Sequence, residues 1–279
     1  MMMRTVTRIL EGRPTSDGAG VKLRRVFSPG QKLDPFLLLD EFNSDTAADY
    51  IGGFPPHPHR GFETVTYMLD GEMLHEDHLG NTGRLTSGSV QWMTAARGII
   101  HSEMPQQVQG RMRGFQLWLN LPAAEKMKDP SYRDVAPADI PQVSLGEWSV
   151  KVIAGSLVHG GVVTAGAIAG GSTDPLYLDV NLTPGGSIEV PVAAGHTAMA
   201  YVYEGEAKLG DVPVGAGRLA VLSDGDRVVL SSGGEGVRLL LLAGRPLGER
   251  VAQYGPFVMN TAEELEQAMR DYREGRLTA

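Results

Sequence analysis

Residues 52–71, GGFPPHPHRGFETVTYMLDG, place His57 and His59 two positions apart in a segment of extended character, and residues 97–105, RGIIHSEMP, do the same with His101 and Glu103. Side chains at i and i+2 of a strand point the same way. Two such segments side by side therefore aim three imidazoles and one carboxylate at a single point. A divalent transition metal accepts that donor set, and four ligands leave one or two positions open for substrate or dioxygen. A closed structural zinc site would bring cysteines, and the chain has none.

Working outward, short apolar runs such as VKLRRVF, FLLLDEF, ETVTYML and GFQLWLNL alternate with turns drawn from 36 glycines and 17 prolines spread over 279 residues. That rhythm predicts many short strands and an all-β sandwich or barrel. Asp70-Gly71, Asn81-Thr82-Gly83 and Ser87-Gly88 are expected as hairpin connections. Pro58, between the two histidines, lacks a ladder donor, so its strand is expected at an edge or barrel mouth.

Residues 122–141, LPAAEKMKDPSYRDVAPADIP with its leading Leu121, are charged and proline-rich, without strand periodicity, and read as a link. Beyond them the strand pattern resumes. The order strand, turn, strand, turn, strand of residues 63–93 recurs over residues 197–226, which suggests an internal duplication. The donors do not recur: His196 stands alone, and residues 222–226 carry no imidazole. The reading is two domains, residues 1–130 with the metal and residues 131–279 without its ligands. A helix over residues 262 to about 274 closes the chain, capped by Thr261 and Glu264, with Leu265, Ala268, Met269 and Tyr272 as its apolar stripe.

Composition bounds the function. A formal charge of −8 and a pI near 5.4 argue against a nucleic-acid surface, which needs clustered Lys and Arg. The absence of cysteine excludes a disulfide framework and thiol catalysis. The opening MMMRTVTRIL has no secretory apolar core, and no run is long enough for a transmembrane helix. A cytoplasmic protein is expected, with no membrane or direct nucleic-acid partner.

Five of the seven histidines, His57, His59, His75, His78 and His101, fall within 45 residues, as a site predicts. His75 and His78 read as a solvated turn, with a supporting pair behind the ligands as the other reading. Phe54, Phe62, Trp92 and Met93 are candidates for either an apolar cavity wall or core. Arg60 and Arg97 either steer an anionic substrate or pair with Glu63 or Glu72. Gln116 is expected to face the cavity.

Gly53, His57, His59, Glu63 and Gly71 approximate the first cupin motif, and Gly88 with RGIIH ending at His101 approximates the second. HPHRGFETVTYMLDGE, HEDHLGNTG, SGSVQWMTAARGIIHSEMP and GFQLWLNLP resemble the pirin family, and VAQYGPFVMNT is similar to its C-terminal signature. The resemblance implies a bicupin: two double-stranded β-helix (jelly-roll) barrels and one metal ion, in the first. It places the ligands on His57, His59, His101 and Glu103. Fe(II) is first among the expected ions, with Mn, Ni, Cu and Zn as alternatives. The generic cupin pattern would use Glu63 instead, which the pirin pattern leaves as a supporting or structural residue.

The activity so implied is of the quercetin 2,3-dioxygenase type. A flavonol would set its 3-hydroxyl on the metal, Glu103 would take the proton, and O₂ would cleave the heterocycle with release of CO. The alternative implied by the same resemblance is a metal-dependent, redox-sensing regulator that binds a partner protein.

Overall fold

The computed structural model describes residues 2–279 as a mostly β chain of antiparallel strands, with one α-helix among the described residues. No helix among them is long and apolar enough to cross a membrane. The chain does not divide at a single point. One compact unit comprises Arg13–Lys32, Phe36–Pro137 and Leu247–Ala279; the other comprises Ala138–Pro246, Leu33–Pro35 and the N-terminal residues through Gly12. Strand pairing explains the second assignment, because Val6–Glu11 runs antiparallel to Arg218–Leu222 and extends that unit's nine-stranded sheet.

The first unit is two facing sheets. The larger has seven strands in the order Ser131–Val135, Val90–Thr94, Phe62–Asp70, Met112–Asn120, Phe36–Ser44, Val21–Phe27 and Arg13–Asp17. The smaller has four, ordered Phe54–His59, Ile99–Pro105, Met73–Asp77 and Thr82–Leu85. Phe54–His59 is an edge strand, the place its three prolines require. Of the three expected hairpins, only that around Asn81 joins paired strands. Asp70-Gly71 and Ser87-Gly88 instead carry the chain from one sheet to the other, as in a jelly roll.

The expected link holds a strand that periodicity did not reveal. Ser131–Val135 pairs with Val90–Thr94, Tyr132 packs beside Met93, Val135 is buried, and Gln91 donates to Asp134. Only Tyr132 and Val135 of this edge strand are covered, three positions apart, so its five residues carry no period-2 hydrophobic signal to read.

The second unit repeats the wiring of the first. Phe62–Asp70 pairs with Val90–Thr94 and Met112–Asn120, which also pairs with Phe36–Ser44; Thr197–Leu209 pairs with Arg218–Leu222 and Arg227–Gly244, which also pairs with Leu176–Leu182. The duplication thus extends to strand order. Its interior is one continuous apolar cluster that includes Val150, Leu178, Val180, Val202, Leu239 and Leu241.

The helix spans Ala262–Arg273 and begins with the reciprocal Thr261 and Glu264 cap. Leu265 and Ala268 are buried with Met269 against them, in a cluster with Phe257 and Met259. Tyr272, placed in the stripe by spacing, is 42% exposed and meets Phe257 only at its ring edge.

Candidate metal centre

Within the first unit, Ile99–Pro105 lies between two neighbours. On one side His101 is directly opposite His57 and Ile99 opposite His59; on the other, Glu103 is opposite His75. Cross-strand partners share a face. His57, His59 and His101 thus converge, one donor nitrogen from each lying within 4.8 Å of the others. The ring centroids are 4.4 to 5.0 Å apart.

The hydrogen bonds leave nitrogens free to face an ion. His57 Nδ1 meets the Pro55 carbonyl at 2.8 Å, where it donates as the N–H tautomer, leaving Nε2. His101 Nδ1 lies 3.2 Å from His75 Nδ1, and its buried Nε2 has no partner. His59 has the Pro256 carbonyl beside it, yet neither ring nitrogen makes a hydrogen bond of good geometry. Burial, reinforced by the neighbouring imidazoles, holds His59 and His101 well below the usual histidine range, so both rings are neutral lone-pair donors at neutral pH. Buried nitrogens without partners are costly. A divalent ion would supply the missing interaction, and this donor set fits one.

Glu103 lies outside that trio but in the same cavity. It is buried, and Gln116 Nε2 donates to both its oxygens, at 2.9 and 3.2 Å, while the Thr66 hydroxyl donates at 3.2 Å. Trp118 Nε1 donates to Gln116 Oε1 at 3.2 Å and so fixes which way the amide points. Gln116 therefore faces the cavity, as its place in GFQLWLNL suggested. Glu63 is elsewhere: its carboxylate accepts from Thr94 at 2.7 Å, it is not among the clustered donors, and it does not line the cavity.

The cavity measures about 720 Å³, within the range of small-molecule sites. Its apolar wall includes Leu38, Phe42, Phe54 and Trp118. Of the four aromatic and methionine candidates only Phe54 lines it. Phe62 packs behind, its ring against His59 and Trp118; Met93 is core, and Trp92 is buried away from the opening.

Two expectations are corrected. Arg60 does not steer substrate: it is buried, paired with Asp271 at 2.7 Å, and donates to the carbonyls of Arg97 and Leu277. Arg97 pairs with Asp129 at 3.3 Å. Both positive charges are used to hold chain segments. Nor is HEDH a solvated turn: its first three residues are in strand, His75 is fully buried against His101, and His78 is exposed and accepts from the Ile100 amide.

The tail completes the site. Residues 253–256 line the cavity, and Val258 bonds back to Arg60 beside the ligand strand. Gly61, at φ +93°, permits this approach, since a Cβ there would lie 1.9 Å from the Val258 carbonyl oxygen. Lys126 clamps the junction. Its buried ammonium donates to Gly61 O and Asn120 Oδ1 at 2.6 Å each and to Val258 O at 3.1 Å. Burial brings its pKa down to about 8 against the pull of Glu249 and Glu264. Neither Lys126 nor Thr66 carries a sequence signal of this role.

Fold and site together define a bicupin with a histidine cluster in one barrel. The pirin family model matches residues 19–119, and the model of the pirin C-terminal cupin domain matches residues 177–278. A Pseudomonas aeruginosa protein that carries the provisional name quercetin 2,3-dioxygenase is 53% identical, over 98% of each chain. A pirin-like protein of Caulobacter vibrioides is 51% identical over 99% of this chain and 100% of its own. The crystal structure of a quercetin 2,3-dioxygenase from Acinetobacter baumannii superposes with a TM-score of 0.90 at 33% identity, covering 100% of this chain and 99% of that one. The chain belongs to the pirin family.

Proposed function

We propose that this protein is a mononuclear metal enzyme of the quercetin 2,3-dioxygenase type, holding one divalent ion, Fe(II) by first choice, on His57, His59, His101 and Glu103. The observation that carries the reading is the imidazole trio, His59 and His101 buried and His57 half-buried, whose donor nitrogens lie within 4.8 Å of one another beside a cavity walled in part by Phe42, Phe54 and Trp118. When bound, the ion supplies Lewis acidity and a template for the substrate's oxygen and O₂.

The remaining work falls to the chain. Leu38, Phe42, Phe54 and Trp118 offer surfaces to a planar aromatic and exclude water from it. Glu103 takes the proton of the flavonol 3-hydroxyl, which raises electron density at C2 of the heterocycle. Gln116 and Thr66 hold the carboxylate toward the cavity through hydrogen bonds to its oxygens. Overall, flavonol and O₂ yield a phenolic carboxylic ester and CO, with all atoms accounted for.

Support for the substrate comes from the names borne by similar proteins. The test is direct: protein loaded with one equivalent of Fe(II) is given quercetin in air. Loss of flavonol absorbance with one O₂ consumed and one CO released per quercetin is expected. A protein that binds the ion but leaves quercetin intact would instead favour the redox-sensing regulator.

A further inference from the structure

The cavity has a second polar end. Arg25 is directly opposite Asp40, Asp40 opposite Gln116, and Gln116 opposite Thr66, across four adjacent strands of the seven-stranded sheet. Direct partners share a face, and all four side chains line the cavity. Gln116 and Thr66 belong to the Glu103 end. Arg25 stands two strand spacings from Gln116, about 10 Å.

Arg25 donates Nε to Asp40 Oδ1 at 3.0 Å and Nη2 to Asp40 Oδ2 at 2.8 Å, a bidentate pair, and Nη2 also reaches Asp17 at 3.1 Å. That fork fixes the guanidinium plane. Nη1 makes no hydrogen bond among the described residues, and the buried Asp40 accepts only from Arg25, so both groups keep unused capacity. Beside Leu23, Leu38 and Phe42 the pair presents donors next to acceptors, and Asp17, which also lines the cavity, leaves the group one carboxylate in excess. A carboxylate ligand would meet Asp40, and an ammonium would meet Arg25. A phenol suits both, since it donates and accepts through one oxygen.

We propose that Arg25 and Asp40 form a distal subsite that recognises a ring bearing phenolic hydroxyls, with O–H donated to Asp40 and oxygen accepting from Arg25 Nη1. The inference rests on the flavonol reading for the rest of the ligand. It makes the hydroxylation pattern, more than ring size, the determinant of selection.

The test is an anaerobic titration of the Fe(II)-loaded protein with quercetin, with galangin, which lacks the hydroxyls of the pendant ring, and with 3-hydroxyflavone, which lacks those of both outer rings, read by flavonol absorbance. Wild type is expected to hold quercetin at least ~10-fold more tightly than 3-hydroxyflavone, the scale of one good hydrogen bond to a charged group. Galangin tells which ring sits at the pair: affinity near that of quercetin assigns the fused ring, affinity near that of 3-hydroxyflavone the pendant one. Because Arg25→Gln alone would leave Asp40 buried and unpaired, the Arg25→Gln/Asp40→Asn double variant is used. It should bring the quercetin to 3-hydroxyflavone ratio within about twofold and leave 3-hydroxyflavone affinity unchanged. An unchanged ratio in that variant, or equal affinities in wild type, overturns the proposal, as does failure of all three to bind. Hydroxyl-dependent binding without turnover would keep the subsite and remove the dioxygenase reading.

Discussion

In the first barrel the strand Met112–Asn120 sends Gln116 and Trp118 toward an open cavity; its counterpart in the second, Arg227–Gly244, sends Val237, Leu239, Leu241 and Ala243 into a closed apolar core. The strand order around the two is the same. One barrel is thus a filled version of the other. Burying imidazoles, an amide and a carboxylate costs desolvation that leucine and valine do not incur. In the first barrel that cost is offset by hydrogen bonds at Glu103, but not at either ring nitrogen of His59 or at His101 Nε2. Binding an ion only to the native state would offset the rest by mass action. The function lies in inward-facing residues that the shared fold does not dictate.

The contrast is broken most severely by exchanging one inward residue in each barrel. His101→Ala should lose the ion and reduce flavonol turnover to background, a fall beyond the ~10²- to 10⁴-fold share of a single positioned base. Leu239→Ala in the second barrel should cost ~2 to 5 kcal/mol of stability and leave turnover per folded molecule unchanged. Denaturant titration beside O₂ uptake reads both. Equal damage to activity from the two changes would mean that the barrels do not divide function from packing.

A smaller effect is expected where the proton acceptor is removed and the shape kept. Glu103→Gln should lower kcat by ~10²- to 10⁴-fold, the usual share of a positioned base, with quercetin still bound in a spectroscopic titration. Smaller again is the effect behind the ligands: His75→Leu should weaken metal affinity by ~10- to 100-fold, because the partner that fixes His101 Nδ1 is gone. Competition with a coloured chelator measures it. Affinity that survives this change would make His75 a packing residue only.

Acid should distinguish the barrels most gently. His59 and His101 are held well below the ordinary histidine value of about 6.5, chiefly by burial. Below that pH the unfolded chain binds protons that the folded chain refuses. Stability of the metal-free protein should therefore fall as pH drops from about 6.5 toward the folded values, by up to ~1.4 kcal/mol per pH unit for each ring. Above that pH, both states are neutral and the contribution vanishes. Urea unfolding at pH 7.5 and 5.5 tests the sign, and a His59→Leu/His101→Leu variant should flatten the slope.

Much of this was legible before any coordinates. Period-2 spacing placed His57 beside His59 and His101 beside Glu103, and Pro58 marked an edge strand, because both are local consequences of extended backbone. The capped helix was equally local. What escaped depends on pairing between distant strands. That His75 stands opposite Glu103, or that Arg25, Asp40 and Gln116 form one row, follows from register across sheets, and no short stretch of sequence encodes register alone. Arg60 and Lys126 were unreadable for a related reason: their partners, Asp271 and the Val258 carbonyl, lie more than 130 residues away. The weak strand Ser131–Val135 was hidden because its two covered residues, Tyr132 and Val135, are three positions apart and break the period-2 pattern.

The central claim is that three imidazoles of the first barrel hold one ion. An anomalous difference map at the iron edge, from crystals grown anaerobically with one equivalent of Fe(II), addresses it directly. A single peak about 2.1 Å from a nitrogen of each of His57, His59 and His101 is predicted, at ordinary metal–imidazole distance. A peak at any other place, or none beside an intact histidine trio, would contradict it.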